Sequence, residues 1–300
     1  MNWIIVAISA HLFWALVNIG DKYVVGSRVK NPYIYIIWLT LLSLLVVMII
    51  PFIDFVIPTM FIFWWLMLAS MTHLYGGLFY IKAAKIEDIS RINIWWGLIP
   101  VFSLIIAWFA LGENLNFNQL ISFIILVISG VLASIHIGKF KITFSKALGL
   151  MIASTLLFAI YAVVFRYITT MAMNFISAFV WLHILTAIWA VPLFLIKKFR
   201  QDFISETKNI KSGYLLWIVL IIAVLDSLGI LFNFKALSLG PVALVFAMES
   251  FQAIFVFIIV MLLTWLAPKI IKEKFDFKNG LLKAVALILM VVGIVILNLN

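Results

Sequence analysis

Apolar residues run along this chain in blocks of about twenty, and polar residues gather in the short gaps between them. Each block is long enough to cross a bilayer as a helix. The blocks predict ten spans, at approximately 3–25, 34–53, 60–81, 89–110, 117–137, 145–168, 174–196, 213–235, 240–264 and 279–298. Pro32, Pro58, Gly112, Gly138, Gly213, Gly240, Pro241 and Gly280 punctuate them. Within a block, apolar and polar residues do not alternate, which excludes a β-barrel. Short connections make successive helices antiparallel neighbours. The longest connection, 197–212, is rich in charge and reads as a solvated loop.

Composition agrees with this pattern. The chain is 67% hydrophobic and 11% charged, against roughly half and a quarter in soluble domains. The net charge of +10 does not point to nucleic acid, because the basic residues lie at span ends and in loops, where membrane topology places them. There is no cysteine, so no disulfide and no cysteine-held metal. The first apolar block lacks a basic leading segment and an Ala-x-Ala site, and reads as a retained helix.

The second half repeats the first. Leu78-Phe79-Tyr80-Ile81-Lys82-Ala83 aligns with Leu231-Phe232-Asn233-Phe234-Lys235-Ala236, which sets His73 against Asp226 and Trp96 against Glu249. Asp21-Lys22-Tyr23 aligns with Phe165-Arg166-Tyr167, and Trp38-Leu39 with Trp181-Leu182. The expected units are 1–142 and 143–300, five helices each, forming one transport domain. A tandem repeat with an odd number of spans enters the membrane from opposite sides. The charges agree: 19 of the 21 basic residues fall on one side under this topology. The positive-inside bias makes that side cytoplasmic and both termini extracytoplasmic. The expected fold is thus an all-α membrane protein, ten transmembrane helices in two inverted five-helix repeats.

An ionisable group deep in a bilayer costs about 3 kcal/mol or more, so it faces a cavity or a partner. His11, His73, His183, Asp226 and Glu249 all lie near the middle of their spans. At 1.5 Å per residue this puts them close to the midplane. Helical spacing groups His11, Trp14, Asn18 and Asp21 on one face of the first span, and His73, Gly76, Gly77 and Tyr80 on one face of the third. Asn93, Trp96 and Pro100 share a face of the fourth. Asp226, Gly229 and Asn233 share one in the eighth, and Phe246, Glu249 and Gln252 one in the ninth. Pro100 removes a backbone donor inside its span, so freed carbonyls need a partner or a cavity.

Asp226 and Glu249 are the candidates for proton coupling. Trp14, Asn18, His73, Tyr80, Trp96, Tyr161, His183, Asn233 and Gln252 are the candidates for substrate contact. Each also has a plain structural reading, as interhelical hydrogen-bonding glue or aromatic packing. Lys22, Arg166 and Lys235, near span ends, read as side chains snorkelling to the interface. Spans five and ten, poor in polar residues, read as peripheral scaffold.

Ten spans, a five-helix inverted repeat, a fourth span with Pro100 ending in Leu111-Gly112-Glu113, and Met248-Glu249-Ser250-Phe251-Gln252 in the ninth resemble the drug/metabolite transporter superfamily. Within it, the chain is similar to ten-helix EamA-type permeases along essentially its whole length. The counterpart of Leu-Gly-Glu is lost to Leu266-Ala267-Pro268, and the charge bias puts the termini opposite to the family's usual cytoplasmic side. The resemblance implies a secondary transporter, commonly an exporter of amino acids or other small metabolites. It implies alternating access, no cofactor and no enzymatic activity. The expected setting is the cytoplasmic membrane, with lipid and a small molecule as partners.

Three rival readings remain. A nucleotide sugar or phosphorylated metabolite would need cavity cations, and only Arg166 and Lys235 come near. An intramembrane enzyme would need clustered histidines or a nucleophile motif, but His11, His73, His136 and His183 are far apart in sequence and no metal-ligand spacing occurs. A non-transporting scaffold would lack a path to the midplane.

Overall fold

A computed structural model describes residues 3–87, 89–135, 146–210, 213–266 and 277–299. The linker with Lys139 and Lys141, His136, Pro268 and the Glu273–Phe277 segment lie outside the described residues or have side chains outside them. The described chain is helical, and ten segments are long and apolar enough to cross a membrane. Thirteen helices make up the described part: α1 Trp3–Ser27, α2 Pro32–Ser43, α3 Met60–Ile86, α4 Ile89–Trp96, α5 Leu98–Leu111, α6 Phe117–Ser134 and α7 Lys146–Met171. They continue with α8 Phe175–Ala190, α9 Lys197–Ile210, α10 Leu215–Leu237, α11 Val242–Ala247, α12 Ser250–Leu266 and α13 Phe277–Leu297. The second and seventh spans finish as 3-10 turns, Leu44–Phe52 and Val191–Leu195, each holding a proline that cannot continue an α-helix.

Local chemistry sets the helix ends. Asn31 precedes Pro32, and its side chain accepts from Tyr33 N at 3.1 Å. Asn174, at the aligned position, accepts from Ser177 N at 2.8 Å. Both fill a donor that the first turn leaves open. Asn116 and Gln119 form a reciprocal capping box at the start of α6. Gly112 ends α5 with φ of 66°, a conformation that suits a residue without Cβ.

Two spans are broken at aligned positions. The fourth divides between α4 and α5 at Gly97, whose N–H bonds to Ile94 O, three residues back. The ninth divides between α11 and α12, with Glu249 N donating to Phe246 O and Gln252 N to Glu249 O. The first break follows from Pro100, which cannot donate to the turn before it. The second has no proline, and it places Glu249 at the interruption itself.

Packing runs across the midpoint of the chain. α1 packs along α10, and α3 along α7. In the first contact the Trp14 indole covers Gly229; in the second the Phe158 ring covers Gly76. α13 lies against α6 at the periphery. Leu281, Ile288 and Val295 of α13 and Ile124 and Ile128 of α6 are exposed, which suits a lipid-facing wall and would be a liability in water.

Two expectations change. Residues 197–210 are helical, not a loop. Phe199 and Phe203, one turn apart, pack on Phe194 with ring centroids 5.5 and 4.9 Å away. Asp202 and Glu206 on the same helix accept from Asn31, at 3.1 and 2.9 Å. Nor do Lys22 and Arg166 snorkel away from the protein. Lys22 Nζ donates to Ala84 O and Glu87 O at 3.1 and 3.0 Å. Arg166 donates to Leu237 O at 2.7 Å and to Glu113 Oε1 at 3.2 Å. Ala84 and Leu237 are aligned positions at the ends of α3 and α10, where carbonyls lack helical partners and a cation is favourable. Lys235 Nζ sits over the Phe175 ring, 4.7 Å from its centroid.

Candidate functional site

A cavity of about 160 Å³ lies in the middle of the bundle. That is the size of cavity that takes a benzene-sized solute. Its walls come from α1, α2, α3, α4, α5, α7, α8, α10, α11 and the Glu249–Gln252 turn. The second span therefore joins those carrying the expected site residues, through Thr40 and Ser43 on α2 and its end, and the seventh adds Leu182 and Thr186 beside His183 on α8. No lining residue comes from α6 or α13.

The structure brings together Trp14, Asn18, His73, Tyr80, Trp96, Tyr161, His183, Gln252, Asp226 and Glu249 around this space. Asn233 is the exception. It is fully buried, its amide atoms have no hydrogen-bond partner, and it does not line the cavity. Spacing with Asp226 and Gly229 gave it the right stripe of α10. Four residues beyond Gly229, however, that stripe has passed the cavity and entered the core near Phe234.

Polar groups around the cavity fall into two kinds. Some are satisfied inside the protein. Asp226 Oδ1 accepts from Trp14 Nε1 at 3.2 Å. Asp21 accepts from Tyr35 and Tyr80 hydroxyls at 2.6 and 3.0 Å, and Tyr80 lies 2.8 Å from Asn18 Oδ1. Asn18 Nδ2 donates to Asn93 at 3.4 Å. His183 Nδ1 donates to Phe179 O at 2.8 Å; with that proton placed, neutral His183 offers Nε2 as an acceptor. His11 Nδ1 lies 3.3 Å from Gln252 Oε1.

Others have no protein partner. Of ten buried side-chain polar atoms without one among the described residues, six belong to cavity-lining side chains. They are His11 Nε2, His73 Nδ1, Trp96 Nε1, Tyr161 OH, His183 Nε2 and Glu249 Oε2. Buried polar atoms are almost always paired, because leaving one bare costs about 1–3 kcal/mol. Six of these atoms thus surround one space.

Asp21 is the residue that sequence reasoning passed over as a site residue. It shares the stripe of His11, Trp14 and Asn18 but is given no role there. It is 4% exposed and lines the cavity.

Aromatic faces complete the walls. Trp96 lies between Tyr80 and Phe158, with centroids 4.9 and 5.6 Å away, and His73 sits 5.1 Å from Tyr161. Away from the cavity, Glu113 joins three elements. It pairs with Arg166 of α7, and its Oε2 accepts from Val242 N at 2.9 Å, capping α11. Of the lost counterpart of this motif, Ala267 and Pro268 lie outside the described residues.

Residues 1–135 match the EamA-like transporter family. No curated protein matches the chain. A solved structure titled "Crystal structure of protein" superposes with a TM-score of 0.72 at 14% identity, covering 99% of this chain and 96% of its own. At that identity it supports the fold alone.

Proposed function

We propose that this multi-pass membrane protein, whose first half belongs to the EamA-like transporter family, is a secondary transporter of small organic metabolites of about amino-acid size. The observation that carries the reading is the central cavity, walled by both halves and ringed by unpartnered polar atoms. An EamA-like first half argues for transport and against catalysis.

The second half is proposed as an inverted copy of the first. Support comes from aligned positions that make like contacts: Trp14 on Gly229 and Phe158 on Gly76, Lys22 on Ala84 O and Arg166 on Leu237 O, Asn31 and Asn174 as caps. With the repeats in opposite orientation, rocking one against the other opens the cavity to each side in turn. Charge bias makes the basic side cytoplasmic, in the cytoplasmic membrane, and the proposed direction is export.

Glu249 and Asp226 are proposed to couple the cycle to protons. A proton biases inward- against outward-facing states only if it binds them differently. A carboxyl group at a helix interruption has surroundings that change when the helix moves.

Proteoliposomes loaded with a metabolite mixture test this, under an imposed pH gradient. Solute movement is expected, and Glu249→Gln or Asp226→Asn should reduce gradient-driven movement by about tenfold or more, the loss of one binding interaction worth about 1.4 kcal/mol. Full gradient-driven transport in both variants would remove the coupling role. Epitope tags on the termini, probed in intact cells, test the orientation.

A further inference from the structure

Charge around the cavity is one-sided. Asp21, Asp226 and Glu249 line it, while none of the lining residues among the described ones is Lys or Arg. The salt bridge Arg166–Glu113 lies outside the lining. The titratable groups facing the three carboxyls among the described residues are His11, His73, His183, Tyr35, Tyr80 and Tyr161. None of them is a fixed cation.

The unpartnered atoms are also uneven in kind. His183 is 3% exposed and keeps Nε2 free as an acceptor; Glu249 Oε2 is an acceptor as well. Trp96 Nε1 is a donor, and Tyr161, 2% exposed, has a hydroxyl free to do either. Aromatic rings also line the cavity: Trp14 donates from its edge to Asp226, and Trp96 packs on Phe158. Carboxylates, free acceptors and ring faces together favour one kind of group, a positively charged nitrogen with hydrogens to donate. They disfavour a carboxylate or phosphate, which would meet three carboxyl groups and no cation among the described lining residues.

We propose that the cavity recognises its substrate through an ammonium group, and that the transported compounds are small organic amines, not organic anions. This rests on the reading of the cavity as the solute site and names the substrate class for it. A volume of about 160 Å³ limits the solute to the size of one ring with a short side chain.

Three probes of nearly equal shape test it on the purified full-length chain: benzylammonium, benzyl alcohol and benzoate. Binding is read by the shift in unfolding temperature and by tryptophan fluorescence, since Trp14 and Trp96 line the cavity. Benzylammonium should bind about tenfold or more tightly than benzyl alcohol, and benzoate should give no shift. In Glu249→Gln combined with Asp226→Asn, the preference for the cation over the alcohol should fall to about twofold or less. Benzoate binding as well as benzylammonium, no response to any of the three, or a preference unchanged in the double variant would each overturn the proposal; if the double variant does not fold, the wild-type panel decides. Proteoliposome transport is scored separately. Cation-selective binding without movement of any solute would sink the transport reading and leave the charge assignment standing.

Discussion

Near Asp21 the first half of the molecule collects hydrogen bonds, and near Phe165 the second half collects rings. The two positions align in sequence. Asp21 receives two tyrosine hydroxyls, from Tyr35 and Tyr80, and Tyr80 also reaches Asn18. Phe165 stacks on Phe234, with Phe179 edge-on and Tyr161 tilted against the same ring. Asp21 and Tyr80 line the cavity, whereas Phe165 and Phe234 are fully buried outside it. One backbone arrangement is thus held by directed polar bonds at one end and by ring packing at the other. The cavity extends toward the polar end, because polar side chains leave a hydratable wall where rings fill the space. The proposed repeat supplies the shape, and substitutions at aligned positions supply the difference between the two ends.

Breaking the ring cluster should have the largest effect. Phe234→Ala removes a fully buried ring touching three others, and a loss of about 3–5 kcal/mol is expected, read as a lower unfolding temperature in detergent. Tyr80→Phe keeps the shape of the polar end but strips the one hydroxyl hydrogen that Asp21 and Asn18 share. It should cost about 1–3 kcal/mol and should disturb transport more than its stability loss suggests. If the two costs were reversed, the contrast between the ends would be wrong.

The paired glycines sharpen the comparison. A Cβ at Gly229 would lie 2.7 Å from Trp14 Nε1, the atom that donates to Asp226. One at Gly76 would meet the edge of the Phe158 ring at 3.2 Å, which has no such bond to lose. Gly229→Ala should therefore slow transport by about tenfold or more, since misplacing a positioned group by about 1 Å is enough, and Gly76→Ala much less. Initial rates in proteoliposomes measure both. The smallest expected effect is a gain. Asn233 buries an unpartnered amide among apolar neighbours, and Asn233→Leu should stabilise the chain by about 1 kcal/mol. The same change at Asn18, whose amide is bonded, should destabilise it.

Much of this was legible in the sequence. The ten spans follow from apolar length, and the break at Gly97 from Pro100. The break beside Glu249 was not legible, because no residue of the ninth span forbids a continuous helix. Spacing placed Asn233 on the stripe of Asp226 but could not say where along the helix the cavity stops. The amphipathic helix at 197–210 was hidden by its charges, although Phe199 and Phe203 carry the helical spacing. Asp21 was on the right stripe all along; only the tyrosines of two other helices show why it can lie buried.

The chain has no cysteine, so a single introduced thiol reports on the cavity without background. Thr40 and Thr186 line it from α2 and α8. Thr40→Cys and Thr186→Cys, reacted with a small membrane-impermeant thiol reagent, should be labelled from either face of the membrane, at rates that transported solute lowers on both. Labelling from one face alone, or from neither, would contradict a space that opens to the two sides in turn.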